Sequence, residues 1–303
     1  MKSHLLSSLA IACVTGLTTI PAVAQEKIIN AGVVQDVGAQ ERINFSGKLR
    51  MLSQRIPSAA CHLSEGVDPE AATKLLTSAT VEFDKIVNGL EFGDPDLKIV
   101  GAETRRKTLA QIHDLRSKWE PVKIAAQSMA AGDVSEENLA IILDQNMAVL
   151  GSAKLLVSEL VGQYSDPSAM LQAHSMLIDI SGRQRMLTQK MSKESCMLAS
   201  QHANSDTAEQ LNGTMEMFEV SLMALMGGMA DAGIRPPPNQ EIAEGLNKVS
   251  YEWNGLKPTL ETLLSGEDIS IEAEADKFNR LNITMGKMNE VVQMYAEAAK
   301  MGL

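Results

Sequence analysis

Residues Ile43-Asn-Phe-Ser-Gly-Lys-Leu-Arg-Met-Leu-Ser-Gln54 return 135 positions later as Ile178-Asp-Ile-Ser-Gly-Arg-Gln-Arg-Met-Leu-Thr-Gln189. The same offset carries Cys61 onto Cys196, Leu63 onto Leu198 and Phe83 onto Phe218, and a shift of one pairs Trp119 with Trp253. A shared phrase of this length, with its register kept beyond it, marks a duplicated domain. Each copy sets one arginine, Arg50 or Arg185, among apolar residues at helical spacing.

On a helix advancing about 100° per residue from Gly47, Leu49, Leu52, Ile56, Ala59, Ala60 and Leu63 share one face. That face belongs to the core of a bundle. Ile43, Gly47, Arg50, Met51, Gln54, Ser58 and Cys61 form a second stripe on the opposite side. The second copy repeats it with Ile178, Gly182, Arg185, Met186, Gln189, Lys193 and Cys196. A helix with two such faces has two neighbours.

Glycine inside a helix costs roughly 1 kcal/mol against alanine, yet Gly47 and Gly182 recur beside the arginines. A missing side chain lets a backbone or a ligand come close. Arg50 and Gln54, like Arg185 and Gln189, are four residues apart, which sets an amide beside each guanidinium. A buried guanidinium keeps its charge and needs an anion. Only Asp179 lies near either stripe, so the counter-charge is expected from outside the chain, as a small anion held between two facing arginines.

The rest of the chain bounds the class. Aromatics make up 3% of 303 residues. Ala, Leu, Met, Glu, Lys and Gln dominate, a helical composition. Residues 1–24 read as a signal peptide: Lys2, an apolar stretch from Leu5 to Ile20, then Ala22-Val-Ala24 before Gln25. The expected product is an exported, periplasmic chain, with no later apolar run of about 20 residues to hold it in a membrane. Loss of Lys2 takes the formal charge from −11 to −12. That acidity argues against nucleic acid and anionic lipid as partners. Two cysteines, Cys61 and Cys196, remain for an oxidising compartment.

Breaks near Gly66-Val-Asp-Pro69, Gly93-Asp-Pro-Asp96 and Gly132-Asp-Val-Ser135 divide the first repeat into four helices: about 28–63, 69–91, 98–130 and 135–164. Ser165-Asp-Pro167 joins the repeats. The second has breaks near Asn204-Ser-Asp206, Gly233-Ile-Arg-Pro-Pro-Pro-Asn239 and Gly266-Glu-Asp268. The expected fold is all-α: two tandem up-and-down four-helix bundles, residues 25–165 and 166–303, packed as a pseudo-dimer.

The pattern Asn44-x-x-Gly47-x-x-Arg50-Met51-x-x-x-Arg55 resembles the periplasmic domain of nitrate/nitrite sensor kinases. It is also similar to the related N-terminal domain of type IV pilus chemotaxis transducers, the PilJ type. The resemblance spans the mature chain as two copies, and only the motif helix is specific. It implies a four-helix bundle pairing through its first helix, with one nitrate between equivalent arginines. That role falls on Arg50 and Arg185, with Gly47 and Gly182 allowing close approach and Gln54 and Gln189 beside them. Lys190 in place of Arg55, and Asp179 in place of Asn44, make the second copy a weaker half-site. Pro57 is expected to interrupt the first helix. The relatives' signalling module is absent from these residues, so the protein is expected either to report to another molecule, such as a membrane-bound receptor or sensor kinase, or simply to hold its ligand.

Bland readings stand beside these. Arg50 and Arg185 could pair with a carboxylate of a neighbouring helix, such as Glu82 or Asp144. Lys48, Arg55, Arg183 and Lys190 flank the stripe and are expected in solvent. Met223, Met226 and Met229 read as core rather than copper ligands. His62 and His202, near Cys61 and Cys196, match no zinc spacing, and His113 and His174 show no partner pattern. No metal or cofactor is expected. No nucleophile-base pair or phosphate loop is present, so an enzyme is not expected. The alternative function is a ligand-free interaction module whose second stripe docks a receptor or another copy of the chain. Two pairings satisfy the pattern, within one chain or between chains. If the stripes face each other, Cys61 and Cys196 approach on the axis between them, within reach of a disulfide.

Overall fold

The computed structural model describes residues 38–164 and 172–302. The expected signal peptide, the expected start of the first helix and the Ser165–Pro167 joint lie outside them. Eight α-helices account for most of the described residues. They are α1 (Ala39–Ser64), α2 (Pro69–Phe92), α3 (Arg106–Ala130) and α4 (Glu136–Tyr164) in the first repeat. In the second they are α5 (Gln172–Ala199), α6 (Thr207–Gly227), α7 (Gln240–Leu264) and α8 (Ile271–Lys300).

Each repeat closes a four-helix bundle. In the first, α1 packs on α2 and α4, and α3 packs on the same two. The second repeats the plan with α5 against α6 and α8 and with α7 opposite. The two bundles join through α1 and α5. Leu49, Leu52, Ile56, Ala59 and Ala60 are buried in the core, as the first face of α1 requires. Matching aromatic pairs sit inside the bundles: Phe83 against Trp119 at 4.1 Å and Phe218 against Trp253 at 4.9 Å between ring centroids.

Local chemistry sets the ends. Asp68, Asn239 and Ser270 cap α2, α7 and α8 by accepting from the backbone N–H groups of Ala71, Ile242 and Ala273, each satisfying one of the orphan donors of a first turn. The third helix starts at Arg106 rather than near Lys98. Asp94 holds the amides of Asp96 and Leu97 in a tight turn, and Lys98 takes a left-handed φ of 55°. Glu103 then accepts from the amides of Thr104 and Arg105.

Two other expectations are corrected. Pro57 lies inside α1 and does not interrupt it. Proline removes the N–H that would bond the carbonyl four residues back, that of Ser53. The Gln54 amide donates to that carbonyl at 3.1 Å. Contrary to the expectation that no later segment is apolar enough, α4 is long and apolar enough to cross a membrane by length and composition. Much of that apolarity is spent in the bundle, where Leu139, Ile142, Val149, Leu150, Ala153, Leu156 and Leu160 belong to the core.

Candidate functional site

The α1–α5 seam runs parallel and in register. Arg55 Nε donates to Gln189 Oε1 at 3.2 Å, the hydroxyls of Ser58 and Ser192 share a hydrogen bond of 2.7 Å, and Cys61 and Cys196 are disulfide-bonded with Cα atoms 6.3 Å apart. Cys61 and Cys196, which are equivalent in the two repeats, meet each other, while Arg55 and Ser58 meet residues one position out of that register. The two helices thus pair about a pseudo-two-fold axis that passes near the disulfide. Gly47, Met51, Gln54, Ser58 and Cys61 are buried on α1, and Gly182, Arg185, Met186, Gln189, Lys193 and Cys196 on α5. The second stripe is the seam.

The arginines meet at the end of the seam away from the disulfide. A Cβ built on Gly182 would lie 3.6 Å from Arg185 Nη2 and 3.8 Å from Arg50 Nη2. One built on Gly47 would lie 3.8 Å from Arg50 Nη2. Both guanidinium groups therefore converge on bare backbone at Gly182.

Their anchoring is alike in one respect. Arg50 donates from Nη1 to Asp179 Oδ1 at 3.0 Å, and Arg185 donates from Nη1 to Asn289 Oδ1 at 2.6 Å. The Nε–H of each is buried without a partner. Nη2 lies on the Nε side of the guanidinium, so each arginine keeps one two-donor edge free beside Gly182. That edge is the fork that binds planar oxyanions bidentately.

Asp179 supplies the only carboxylate paired with either arginine among the described residues, and it also accepts from Arg183 at 2.9 Å. Burial would raise its pKa, but Arg50 and Arg183 hold it below the usual carboxylate value. Arg185 has an amide oxygen where a counter-charge would sit. Burial first, and then Arg50, press its pKa down to about 10. Lys154 is pressed down by burial and then by Lys190, Arg183 and Arg50. Within an acidic protein this end of the seam concentrates positive charge.

Several expectations change. Arg50 does pair with a carboxylate of a neighbouring helix, Asp179 rather than Glu82 or Asp144, so its counter-charge comes from within the chain, and Glu82 pairs with Lys48. The glutamines lie in the seam without bonding their neighbouring arginines. Gln54 serves Ser53, while Gln189 accepts from Arg55 and donates to Asn282 at 3.3 Å. Of the four flanking cations only Arg183 is exposed. Burial takes Arg55 down to about 10 against the opposing pull of Glu82, and Lys190 is tied to buried Glu194 and to Thr214. Met223 and Met229 are exposed, not core. His113 pairs with Glu91, and His202 lies between Glu65 and Glu136. The side chain of His174 lies outside the described residues.

Lys154 and Asn289 were not anticipated. They occupy equivalent positions, 135 apart, each three residues after a helical glycine, Gly151 or Gly286. That register was the available signal.

The family described as the N-terminal domain of type IV pili methyl-accepting chemotaxis transducers, PilJ, matches residues 34–143 and again residues 168–278. The chain belongs to the PilJ family. One match falls on each bundle, and each contains a complete motif helix with its glycine, arginine and cysteine. The PilJ domain is a periplasmic sensory domain of chemotaxis transducers, a signalling rather than a catalytic family. Both PilJ matches stop short of Lys154 and Asn289. No curated protein matches the chain.

Proposed function

We propose that this tandem PilJ chain is an exported, periplasmic sensor-type protein that holds one small oxyanion, nitrate or nitrite, between its two repeats. Residues 1–24 serve as the cleaved signal, and residues 25–165 and 166–303 form the halves. Arg50 and Arg185 grip the anion through their free Nε/Nη2 edges, Gly47 and Gly182 make room, Gln54 braces α1 behind Arg50, and Gln189 ties α5 to α1 and α8. A membrane-bound receptor or sensor kinase receives the report. The observation that carries this reading is the pair of unpartnered guanidinium edges converging on Gly182. Two like charges at close range repel unless an anion lies between them.

Calorimetry with nitrate and with nitrite tests it on the purified chain. One anion should bind per chain. Arg50→Ala or Arg185→Ala should each weaken binding about 10- to 150-fold, the loss of a charge-assisted hydrogen bond of roughly 1.5–3 kcal/mol. The double variant should lose little more, because both residues act through one ligand. Two independent sites, or no heat with either anion, would overturn the proposal. The second result would favour a ligand-free docking module.

A further inference from the structure

At the far end of the seam, the disulfide lies in a buried polar cluster that the anion site does not use. His62 follows Cys61 on α1 and is fully buried. Its Nδ1 lies 2.8 Å from the carbonyl oxygen of Ser58. A carbonyl only accepts, so Nδ1 carries the proton and Nε2 presents a bare lone pair. The ring is stacked on Phe278 of α8 at 4.0 Å, which fixes its plane. Nε2 makes no hydrogen bond but lies 3.5 Å from Oε1 of buried Glu274, also on α8, and Oε2 of Glu274 has no partner. The other oxygen of Glu274 accepts from Lys277 at 2.5 Å.

Donor atoms of His62, Glu274 and Cys196 all lie within 4.8 Å of one another, and Cys61 is bonded to Cys196. A bare imidazole nitrogen and a carboxylate oxygen, both buried without a hydrogen bond and close to the disulfide, are an unusual thing for a core to hold. Sulfur, imidazole nitrogen and carboxylate oxygen are the ligands of a tetrahedral zinc ion. A carbonyl-bound Nδ1–H is the outer contact that ligating histidines use. A cleft of about 160 Å³, lined by Cys196 and Glu274 inside and by Glu65 and Ile271 at its exposed rim, leads to the cluster.

We propose that Cys61, His62, Cys196 and Glu274 form a zinc site that opens when the disulfide is reduced. The reductant is a dithiol. It gives two electrons to the Cys61–Cys196 bond and becomes a disulfide itself, the two cysteine thiolates take Zn²⁺, and two protons are released. Charge stays balanced in both forms. In the oxidised form the Glu274 carboxylate faces the Lys277 ammonium. In the zinc form, two thiolates and one carboxylate face Zn²⁺ and that ammonium. A buried site tolerates only such compensated charge. The chain would then carry its zinc ligands on three helices, α1, α5 and α8, and clamp the two bundles by metal where it otherwise clamps them by sulfur.

Zinc alone is the probe, added to the full chain before and after reduction, with bound metal measured after removal of excess. One zinc per reduced chain and none per oxidised chain is expected. Cys196→Ser should abolish tight binding, and His62→Gln should weaken it at least about tenfold. Cobalt should replace zinc and show thiolate charge-transfer absorption. Circular dichroism covers the case in which reduction unfolds the chain: zinc should then restore helix, because binding would be coupled to folding. Zinc uptake equal in reduced wild type and Cys196→Ser, cobalt spectra without thiolate bands, or an unfolded reduced chain that zinc leaves unfolded would each overturn the proposal.

Discussion

The two motif helices share a phrase but have divided its tasks. In α1, Pro57 frees a carbonyl, and Gln54 turns back along its own helix to satisfy it. In α5, Ser192 stands where the first copy has Pro57. Gln189 is therefore free to accept from Arg55 and to reach Asn282. The same division holds for charge. Asp179 replaces Asn44 and serves the arginine of the other copy, while Arg185 turns to an amide on α8. Two identical chains must keep every seam residue compatible with itself across the axis. Duplication within one chain lifts that constraint, so one copy can hold a carboxylate that only the other copy uses.

The largest expected effect severs the copies. Replacing Cys61 and Cys196 together by alanine should cost about 2–5 kcal/mol, because the bond closes a very long loop in the unfolded chain. Urea denaturation measures it. An unchanged midpoint would mean that packing alone holds the bundles together.

The division of labour between the glutamines can be tested by a double-mutant cycle. Gln54→Ala should cost about 1–3 kcal/mol, since it leaves the Ser53 carbonyl buried and unpaired. In a Pro57→Ala background residue 57 regains an N–H for that carbonyl, and most of the cost should vanish. A coupling energy near zero would break the comparison at its clearest point.

Gly182 and Gly47 should also differ. Gly182→Ala should weaken nitrate binding about tenfold, as a methyl group intrudes between both guanidinium edges. Gly47→Ala should do less, since its Cβ position approaches Arg50 alone. Neither contact is closer than ordinary van der Waals distance. Thermal melts should therefore show unchanged or slightly raised stability, up to about 1 kcal/mol.

The smallest effect restores symmetry. Asp179→Asn removes a charge that competes with the anion, and nitrate affinity should rise up to about fivefold. Stability should fall by less than about 1 kcal/mol, because the Asp179 side chain is 43% exposed and solvent screens its pairs. The Asp179 carboxyl has a depressed pKa in the fold. Its contribution is complete above the unfolded value near 3.9 and is lost as pH falls through the lower folded value. Nitrate affinity of the wild type should rise across that acidic window, and that of Asp179→Asn should not.

The all-α fold and the paired seam were legible because one apolar stripe and a second, repeated stripe of small and polar residues on the same 3.6-residue period give a helix two neighbours. The arginines and glycines of the candidate site drew notice for the same reason, lying on the repeated helix, and the fold brings them together. Lys154 and Asn289 lie on α4 and α8, where the repeats have diverged and only the paired Gly151 and Gly286 three residues earlier keep the register. The start of α3 was misjudged because Asp94 and left-handed Lys98 form a turn that helical composition hides. Pro57 misled because its compensation is a side chain of the same helix. The cluster of His62 with Glu274 depends on helices more than 200 residues apart in sequence meeting at one point, which no spacing rule encodes.

The disulfide has a mechanical consequence. It pins α1 to α5 eleven residues from the arginines, about 16.5 Å along the helix at 1.5 Å per residue. A covalent pin forbids one helix to slide along the other, and any opening of the seam above it would have to break the Ser58–Ser192 and Arg55–Gln189 contacts. A push exerted at Arg50 and Arg185 would therefore act on the two bundles as a turn about that pin rather than as a slide.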